Sequence, residues 1–206
     1  MSVRVARGFD RLAPFYDSLA RLIIGKGIKQ SQLHFLNHLR DKTKLLVLGG
    51  GTGWILPSLF EINPKLEIDY VDISPRMIVQ ARRKVLPNNN IQFIVGTEKN
   101  IPQSDYDCVV TNFYLDLFDN DKLDTLIPQI RGRLLPEAYW LATDFVSISR
   151  WHKIILWLMY YFFHVTTGLR NRKLPSWRIK LTKAGGTLID QKNFSYDFIQ
   201  TIVFKF

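Results

Sequence analysis

Gly49, Gly50, Gly51 and Gly53 follow at once on the apolar run Leu45-Leu-Val-Leu48, and Asp72 stands nineteen residues beyond the last of them. A short apolar run that ends in glycines reads as a buried parallel strand turning sharply into a helix. Glycine accepts positive φ without steric cost and lacks a Cβ, so a ligand can come close to the backbone. The helix that follows points free N–H groups and the positive end of its dipole at the same space. Leu66-Glu-Ile-Asp-Tyr-Val71 reads as a second strand, with Asp72 at its tip. A carboxylate there accepts two charge-assisted hydrogen bonds from the vicinal diol of a ribose. The plainer alternative is an exposed loop acid near Ser74 that caps the next helix. Taken together, the glycine turn and the acid suit a nucleotide-like small molecule.

The dinucleotide fingerprint requires a third glycine for close helix–strand packing. Counted from Gly49 that position is Trp54, and counted from Gly51 it is Leu56. A P-loop would need Gly-Lys-Ser/Thr, which does not follow this turn. The spacing Gly49-x-Gly51-x-Gly53 resembles motif I of the class I S-adenosylmethionine (SAM) dependent methyltransferases. Further segments extend the resemblance, toward the ubiquinone and menaquinone biosynthesis group. They are Phe9-Asp-Arg-Leu-Ala-Pro-Phe-Tyr-Asp17, Val71-Asp-Ile-Ser-Pro-Arg-Met77, Val95-Gly-Thr-Glu-Lys-Asn-Ile-Pro102, Tyr106-Asp-Cys-Val-Val-Thr-Asn112 and Leu134-Leu-Pro-Glu-Ala138. The resemblance implies SAM as cofactor and S-adenosylhomocysteine as product. It implies contacts from Tyr16, Gly49, Gly50, Gly51, Gly53, Asp72, Ile73, Met77, Thr97, Glu98 and Thr111. In this scheme the glycine turn holds the methionine portion, Asp72 the ribose, and Ile73 with Thr97–Glu98 the adenine. Val47 stands where the family usually has an acid, Thr97 where one is often met, and Pro136-Glu137-Ala138 where Pro-Gly-Gly is usual. The change at Val47 removes a polar anchor near the methionine end.

Alternating elements must position these residues. Strands are predicted at 44–48, 67–71, 91–95, 105–111 and 138–144, and helices at 14–24, 27–40, 54–62, 75–86 and 121–133. Alternation of this kind gives a parallel sheet with helices on both faces. Two strand-like runs, 187–194 and 198–206, flank Tyr196-Asp197 and read as an antiparallel hairpin. The expected fold is therefore α/β, a Rossmann-like, seven-stranded, mostly parallel sheet with a C-terminal antiparallel hairpin. With 206 residues, 47% of them hydrophobic, a single domain over 1–206 is expected. Its segment 1–40 would form a helical lid, and 145–186 a variable substrate-side insertion.

Open α/β sheets bind ligands beyond the carboxyl ends of their strands. That rule gathers the glycines, Asp72, Thr97, Thr111-Asn-Phe-Tyr114 and Asp144 on one rim. Methyl transfer mainly requires alignment of the acceptor with the methyl carbon, and a base matters for a phenol or an enolisable carbon. His152, His164, Tyr114 and Asp144 are candidate bases, and Tyr114, Asp144, His152 and Tyr160 candidate acceptor contacts. Asp116 and Asp119 read as solvated loop acids or a helix cap. His34 and His38 share a helix face at i, i+4 as surface or packing residues. No metal site is expected, and one cysteine, Cys108, excludes an intramolecular disulfide framework.

The segment from Trp151 to Val165 contains ten unbroken apolar or aromatic residues, Ile154 to Phe163. Crossing a bilayer takes roughly 20 apolar residues, so a span is excluded on length. A helix buried between sheet and another element, an acceptor wall, a dimer seam and an interfacial membrane contact all remain open. From Phe145 to Ile189 there is no Asp or Glu, while eight Arg and Lys residues occur between 150 and 183, and the chain's net charge is +10. A positive potential beside an apolar helix suits an anionic lipid surface or an amphiphile with an acidic head. Nucleic acid is not expected, because no recognised binding module accompanies the charge. Arg4, Arg7, Asp10 and Arg11 interrupt any secretory signal, so a cytoplasmic location is expected, peripheral at the membrane if the contact through 150–183 is made. The expected activity is methyl transfer from SAM to a small hydrophobic or amphiphilic acceptor. A non-catalytic methyltransferase-like domain and a nucleotide-dependent oxidoreductase are the alternatives. Sequence leaves the oligomeric state unassigned.

Overall fold

Strand β1 (Lys44–Leu48) is apolar at four successive positions because both of its faces are buried. Leu45 and Val47 enter one core, and Leu46 and Leu48 the other. With β2 (Glu67–Asp72), β3 (Ile91–Val95), β4 (Tyr106–Asn112), β5 (Leu134–Phe145), β6 (Thr187–Phe194) and β7 (Ile199–Lys205) it forms a seven-stranded sheet of order β3-β2-β1-β4-β5-β7-β6. The first five strands are parallel; β7 runs antiparallel to β5 and forms the closing hairpin with β6. This is the Rossmann-like architecture expected from the sequence. The computed structural model describes residues 3–15, 27–103, 105–169, 171 and 173–206.

Helices cover both faces. Helices α1 (Val3–Leu12) and α2 (Gly27–Leu33) precede the sheet, and α3 (Leu56–Ile62) and α4 (Pro75–Arg82) follow β1 and β2. Leu56, Leu59, Ile78 and Ala81 from α3 and α4 pack on the Leu45–Val47 face. Helices α5 (Asn120–Arg131) and α7 (Trp177–Lys183) cover the opposite face through Leu123, Leu126, Ile130, Trp177 and Leu181. Helix α6 (Arg150–Thr167) crosses the carboxyl end of the sheet, where Leu156 and Tyr160 meet Phe145, Phe198 and Ile199.

Several elements differ from expectation for local reasons. The amino-terminal helix is α1, and it ends at Leu12 because Pro14 cannot continue it. The helix expected at 14–24 is a turn at 14–15, and its remaining residues lie outside the described ones. The expected helix 27–40 divides into α2 and a 3-10 turn at Leu36–Leu39. Strand β5 begins at Leu134 and absorbs the expected turn, with Glu137 at φ 67° and a register shift against β4. Helix α7 was not foreseen; seven residues give its Trp177/Leu181 pairing too little periodicity to detect.

Tyr106 makes a buried polar contact within the sheet: its hydroxyl reaches across β1 and donates to Asp69 on β2 at 2.7 Å. Both residues are buried. Tyr106→Phe leaves the Asp69 carboxyl short of that donor and should cost about 1–3 kcal/mol in urea unfolding. An unchanged midpoint would mean that water replaces the hydroxyl.

Candidate functional site

The backbone of the glycine turn answers to different neighbours at each position. Gly51 has φ +62°, and a Cβ built there would meet no atom within 4 Å. Gly53, at φ +73°, lies so close to α4 that a Cβ would come 2.6 Å from that of Ala81. Gly49 and Gly50 back onto the rings of Tyr114 and Tyr70. Thus Gly51 faces open space, while the other three glycines let protein side chains approach the turn. Helix α3 starts at Leu56, three residues past Gly53, with no side-chain cap.

Asp72 fixes this turn to the next one. Its Oδ2 accepts the Gly51 N–H at 2.8 Å, and its Oδ1 accepts the Ser74 N–H at 2.8 Å. The exposed-acid alternative is overturned, since Asp72 is buried. Ser74 is the residue that caps α4, its Oγ accepting the Met77 N–H at 3.1 Å. Burial pushes the Asp72 carboxyl up to about 6, against the two N–H donors that favour its charge, and the charge of Asp10 adds to the rise. Asp10 on α1 accepts both the Ser74 hydroxyl at 2.5 Å and the Arg76 N–H at 3.2 Å. Phe9 packs against Phe163, and Gly8 lies against the Thr167 backbone, so α1 spans the gap between α4 and α6.

The third motif sits on the same rim. Thr97 caps a 3-10 turn at Glu98–Asn100 in a reciprocal arrangement with Asn100. The Glu98 side chain is buried with Lys122 Nζ 3.0 Å from Oε1, and Oε2 has no hydrogen-bond partner among the described residues. Burial would raise this acid, yet Lys122 and the Glu98 backbone N–H together outweigh it and hold the carboxyl below its usual value. Ile73 is half-buried at the rim and Met77 is buried behind it. Thr111 turns away from the rim, its Oγ1 accepting the Trp140 indole N–H at 2.9 Å. Tyr16 lies outside the described residues.

On the β4–β5 side the ring of Tyr114 covers Gly49 and packs against Phe118. Asp144, near the end of β5, is buried together with Asp116, and burial raises both carboxyls. The sequence placed Asp116 on a solvated loop; its neighbour Asp119 is the helix cap, accepting the Lys122 N–H at 2.8 Å. Tyr160 points inward from α6 and is buried. His152 does not present a free nitrogen. Its Nδ1 accepts the Ile148 and Ser149 N–H groups at 3.1 and 3.3 Å, and Nε2 lies 3.1 Å from the Tyr196 carbonyl, which makes it a donor. It therefore caps α6. His164 likewise meets the Leu169 carbonyl at 2.9 Å. His38 pairs with Asp190 at 2.7 Å, and His34 packs edge-on to Phe35 and Phe194. No signal in the sequence announced the His38–Asp190 pair, because its members are 152 residues apart.

Sheet order, glycine turn and strand-end acid define a Rossmann-like fold with a nucleotide-type rim. Residues 45–137 match the family described as Methyltransferase domain. A malonyl-(acyl-carrier protein) O-methyltransferase of Halalkalibacterium halodurans is 28% identical over 155 residues, spanning 68% of this chain and 54% of the relative. An enzyme of the same description, numbered 1, from Ilyobacter polytropus is 30% identical over 118 residues, spanning 57% and 43%. The chain thus spans about half the length of the curated relatives it matches. Among solved structures, human N-acetylserotonin methyltransferase in complex with SAM superposes with a TM-score of 0.71 at 17% identity, over 98% of this chain and 57% of that one. The Burkholderia thailandensis 1,6-didemethyltoxoflavin-N1-methyltransferase, with 1,6-didemethyltoxoflavin and S-adenosylhomocysteine bound, gives 0.68 at 14% identity, over 97% of this chain and 87% of that one. These structural likenesses establish the fold.

The raised Asp72 carboxyl has a consequence for stability. The folded state holds this proton more tightly than the unfolded chain, so the contribution is present below about 4 and is lost as pH rises through about 6. Asp72→Asn removes that dependence. Its stability relative to the unsubstituted protein should therefore improve from about pH 4 to about 6 and level off above that in urea unfolding. A difference that stays constant across this range would assign Asp72 an ordinary carboxyl.

Proposed function

We propose that this chain transfers a methyl group from SAM to a small hydrophobic or amphiphilic acceptor. The observation that carries the reading is the buried Asp72 carboxylate beside the open face of Gly51. A ribose diol can donate two charge-assisted hydrogen bonds to that carboxylate. In this reading the methionine portion lies along Gly49–Gly53, with Ile73 and Met77 beside the adenine. The free Glu98 Oε2 then receives the adenine amino group. Thr97 acts through the backbone of the turn it caps, and Thr111 through the Trp140 indole it holds. SAM supplies a sulfonium whose methyl carbon is attacked directly, so the protein's work is binding, alignment and disposal of a proton.

Segment 1–40, through α1, is proposed as the lid, and 145–186, through α6, as the acceptor-side insertion. The relatives' names specify a malonyl group on acyl-carrier protein. Their family relationship supports a methyl acceptor, and the quinone-type acceptor of the resemblance draws no support from them. Isothermal titration with SAM and S-adenosylhomocysteine tests the assignment. We expect micromolar binding, weakened by about 1.5–3 kcal/mol in Asp72→Ala, the range for hydrogen bonds to a charged group. No binding at millimolar ligand would favour a non-catalytic domain, which the apolar Val47 at the first acidic position allows. Binding of NADH in its place would favour the oxidoreductase reading.

A contact with an anionic bilayer is proposed for the outer face of α6. The helix is not buried all round: Ile154, Trp157, Tyr161 and Val165 are 60–64% exposed along one stripe. Trp157 and Tyr161 stack with ring centroids 5.8 Å apart. Arg150 and Lys153 are exposed at one end of the helix, and Arg7 and Arg11 are exposed on α1 beside it. Aromatic residues over a basic rim match the headgroup boundary of a bilayer. Among the described residues no helix is long and apolar enough to cross a membrane. Co-sedimentation with phosphatidylglycerol vesicles should exceed that with phosphatidylcholine, weaken in high salt, and fall in Trp157→Asp. Equal recovery on both lipids would remove the bilayer as the partner.

A further inference from the structure

Asp116 and Asp144 are buried together beneath α6. Asp144 serves the architecture. Its Oδ2 accepts the Asp116 N–H at 3.1 Å and its Oδ1 the Phe145 N–H at 2.8 Å, which pins the 3-10 turn Leu115–Leu117 to β5. Burial raises both carboxyls and each charge opposes the other, so a single proton on the pair is favoured over two charges. Among the described residues Asp116 Oδ1 is buried with no hydrogen-bond partner, and the Tyr160 hydroxyl, on a side chain 6% exposed, also has none. Tyr160 packs in one cluster with Phe145, the residue after Asp144, and the charges of both acids act on its hydroxyl. Among the described residues neither acid has an ion-pair partner.

Architecture explains Asp144 and leaves two buried polar atoms unexplained. Such orphans are rare in folded proteins and point to a group that is missing. Their position suggests which group. Asp116 is two residues beyond Tyr114, whose ring covers Gly49, so the cluster borders the proposed methyl-donor site on its β4–β5 side.

We propose that Asp116, Asp144 and Tyr160 receive the reacting hydroxyl or amine of the methyl acceptor, with Asp116 Oδ1 taking the proton that the acceptor loses. This rests on the methyl-transfer reading above. The acceptor's oxygen or nitrogen forms its bond to the methyl carbon as the carbon–sulfur bond breaks, and that electron pair stays on the sulfur. The sulfonium becomes a neutral thioether. The proton goes to the carboxyl pair, which passes from one proton to two, so charge is conserved. Tyr160 orients the acceptor atom by hydrogen bonding. A donor-bearing acceptor satisfies the orphaned oxygen, whereas a carboxylate acceptor would bring a further negative charge to a dry acidic site.

Three probes sharing one aromatic body separate these chemistries: 4-ethylphenol, 2-phenylethylamine and 3-phenylpropionate, titrated into the protein saturated with S-adenosylhomocysteine. The phenol or the amine should bind and the carboxylate should not. Asp116→Asn and Tyr160→Phe should each weaken that binding at least tenfold while S-adenosylhomocysteine binds within twofold of the unsubstituted protein. Asp116→Glu should recover part of the loss, which a merely architectural acid would not. Preferential binding of 3-phenylpropionate, indifference to the substitutions, or no binding of any probe by protein that holds S-adenosylhomocysteine would overturn the assignment. Failure to bind S-adenosylhomocysteine itself would strike the methyl-transfer reading, and this one with it.

Discussion

The rim of this domain is organised by one carboxylate accepting hydrogen bonds from two turns. Parallel strands β1 and β2 end side by side, and each leads into a turn whose N–H groups point at the same space. Asp72 gathers the Gly51 and Ser74 N–H groups, and Ser74 passes the connection to Met77 and to Asp10 on α1. The glycine turn, the cap of α4 and the amino-terminal helix therefore form one hydrogen-bonded chain. Chains of this kind strengthen in a low-dielectric setting, and the same setting makes a missing member costly. The position of α1 follows from this chain together with the close Gly8–Thr167 crossing.

Charge is distributed in opposite senses inside and outside the rim. The chain carries a net charge of +10, and the stretch from 146 to 188 has no acid at all. Yet Asp72, Glu98, Asp116 and Asp144 are all buried around the strand ends. Burial raises three of them, while Lys122 and the Glu98 backbone N–H reverse the direction for Glu98. Acids held in this way oppose their own ionisation while the site lacks donors. A ligand bearing hydroxyls, an amine or a positive sulfur relieves that opposition, so the energetic cost of the buried acids becomes selectivity for such ligands.

Local pattern carried the sheet, the glycine turn and Asp72, because each has a short-range signature. Leu45–Leu48 followed by glycines is a strand and a turn in any context, and Asp72 completes a spacing set by one strand, one helix and one strand. Single positions were less legible. Thr111 sits on the expected strand end, but its side chain is committed to Trp140, which lies 29 residues away. His152 looked like a base from its type, and only the fold shows that backbone groups of residues 148, 149 and 196 occupy both nitrogens. Asp116 carried the composition of a solvated loop; its burial depends on β5 and α6, which arrive later in the chain. Residues whose surroundings are assembled from distant segments leave no trace in local pattern.

Helix α6 shows how an ambiguous sequence becomes two distinct surfaces. Ten consecutive apolar residues hide the helical period, since no polar face marks the outside. Placed against the end of the sheet, the period reappears as burial: Leu156 and Tyr160 point inward, and Trp157 and Tyr161 outward. The inner face brings a hydroxyl to the acid pair, and the outer face offers aromatic rings to the surroundings. One helix thus borders both a polar cluster suited to a reacting group and an apolar exterior bounded by basic side chains. In the proposed reading an amphiphilic acceptor would set its polar end at Asp116 and its apolar body along α6. The same helix that would bind such a molecule would also stand at the bilayer from which it comes.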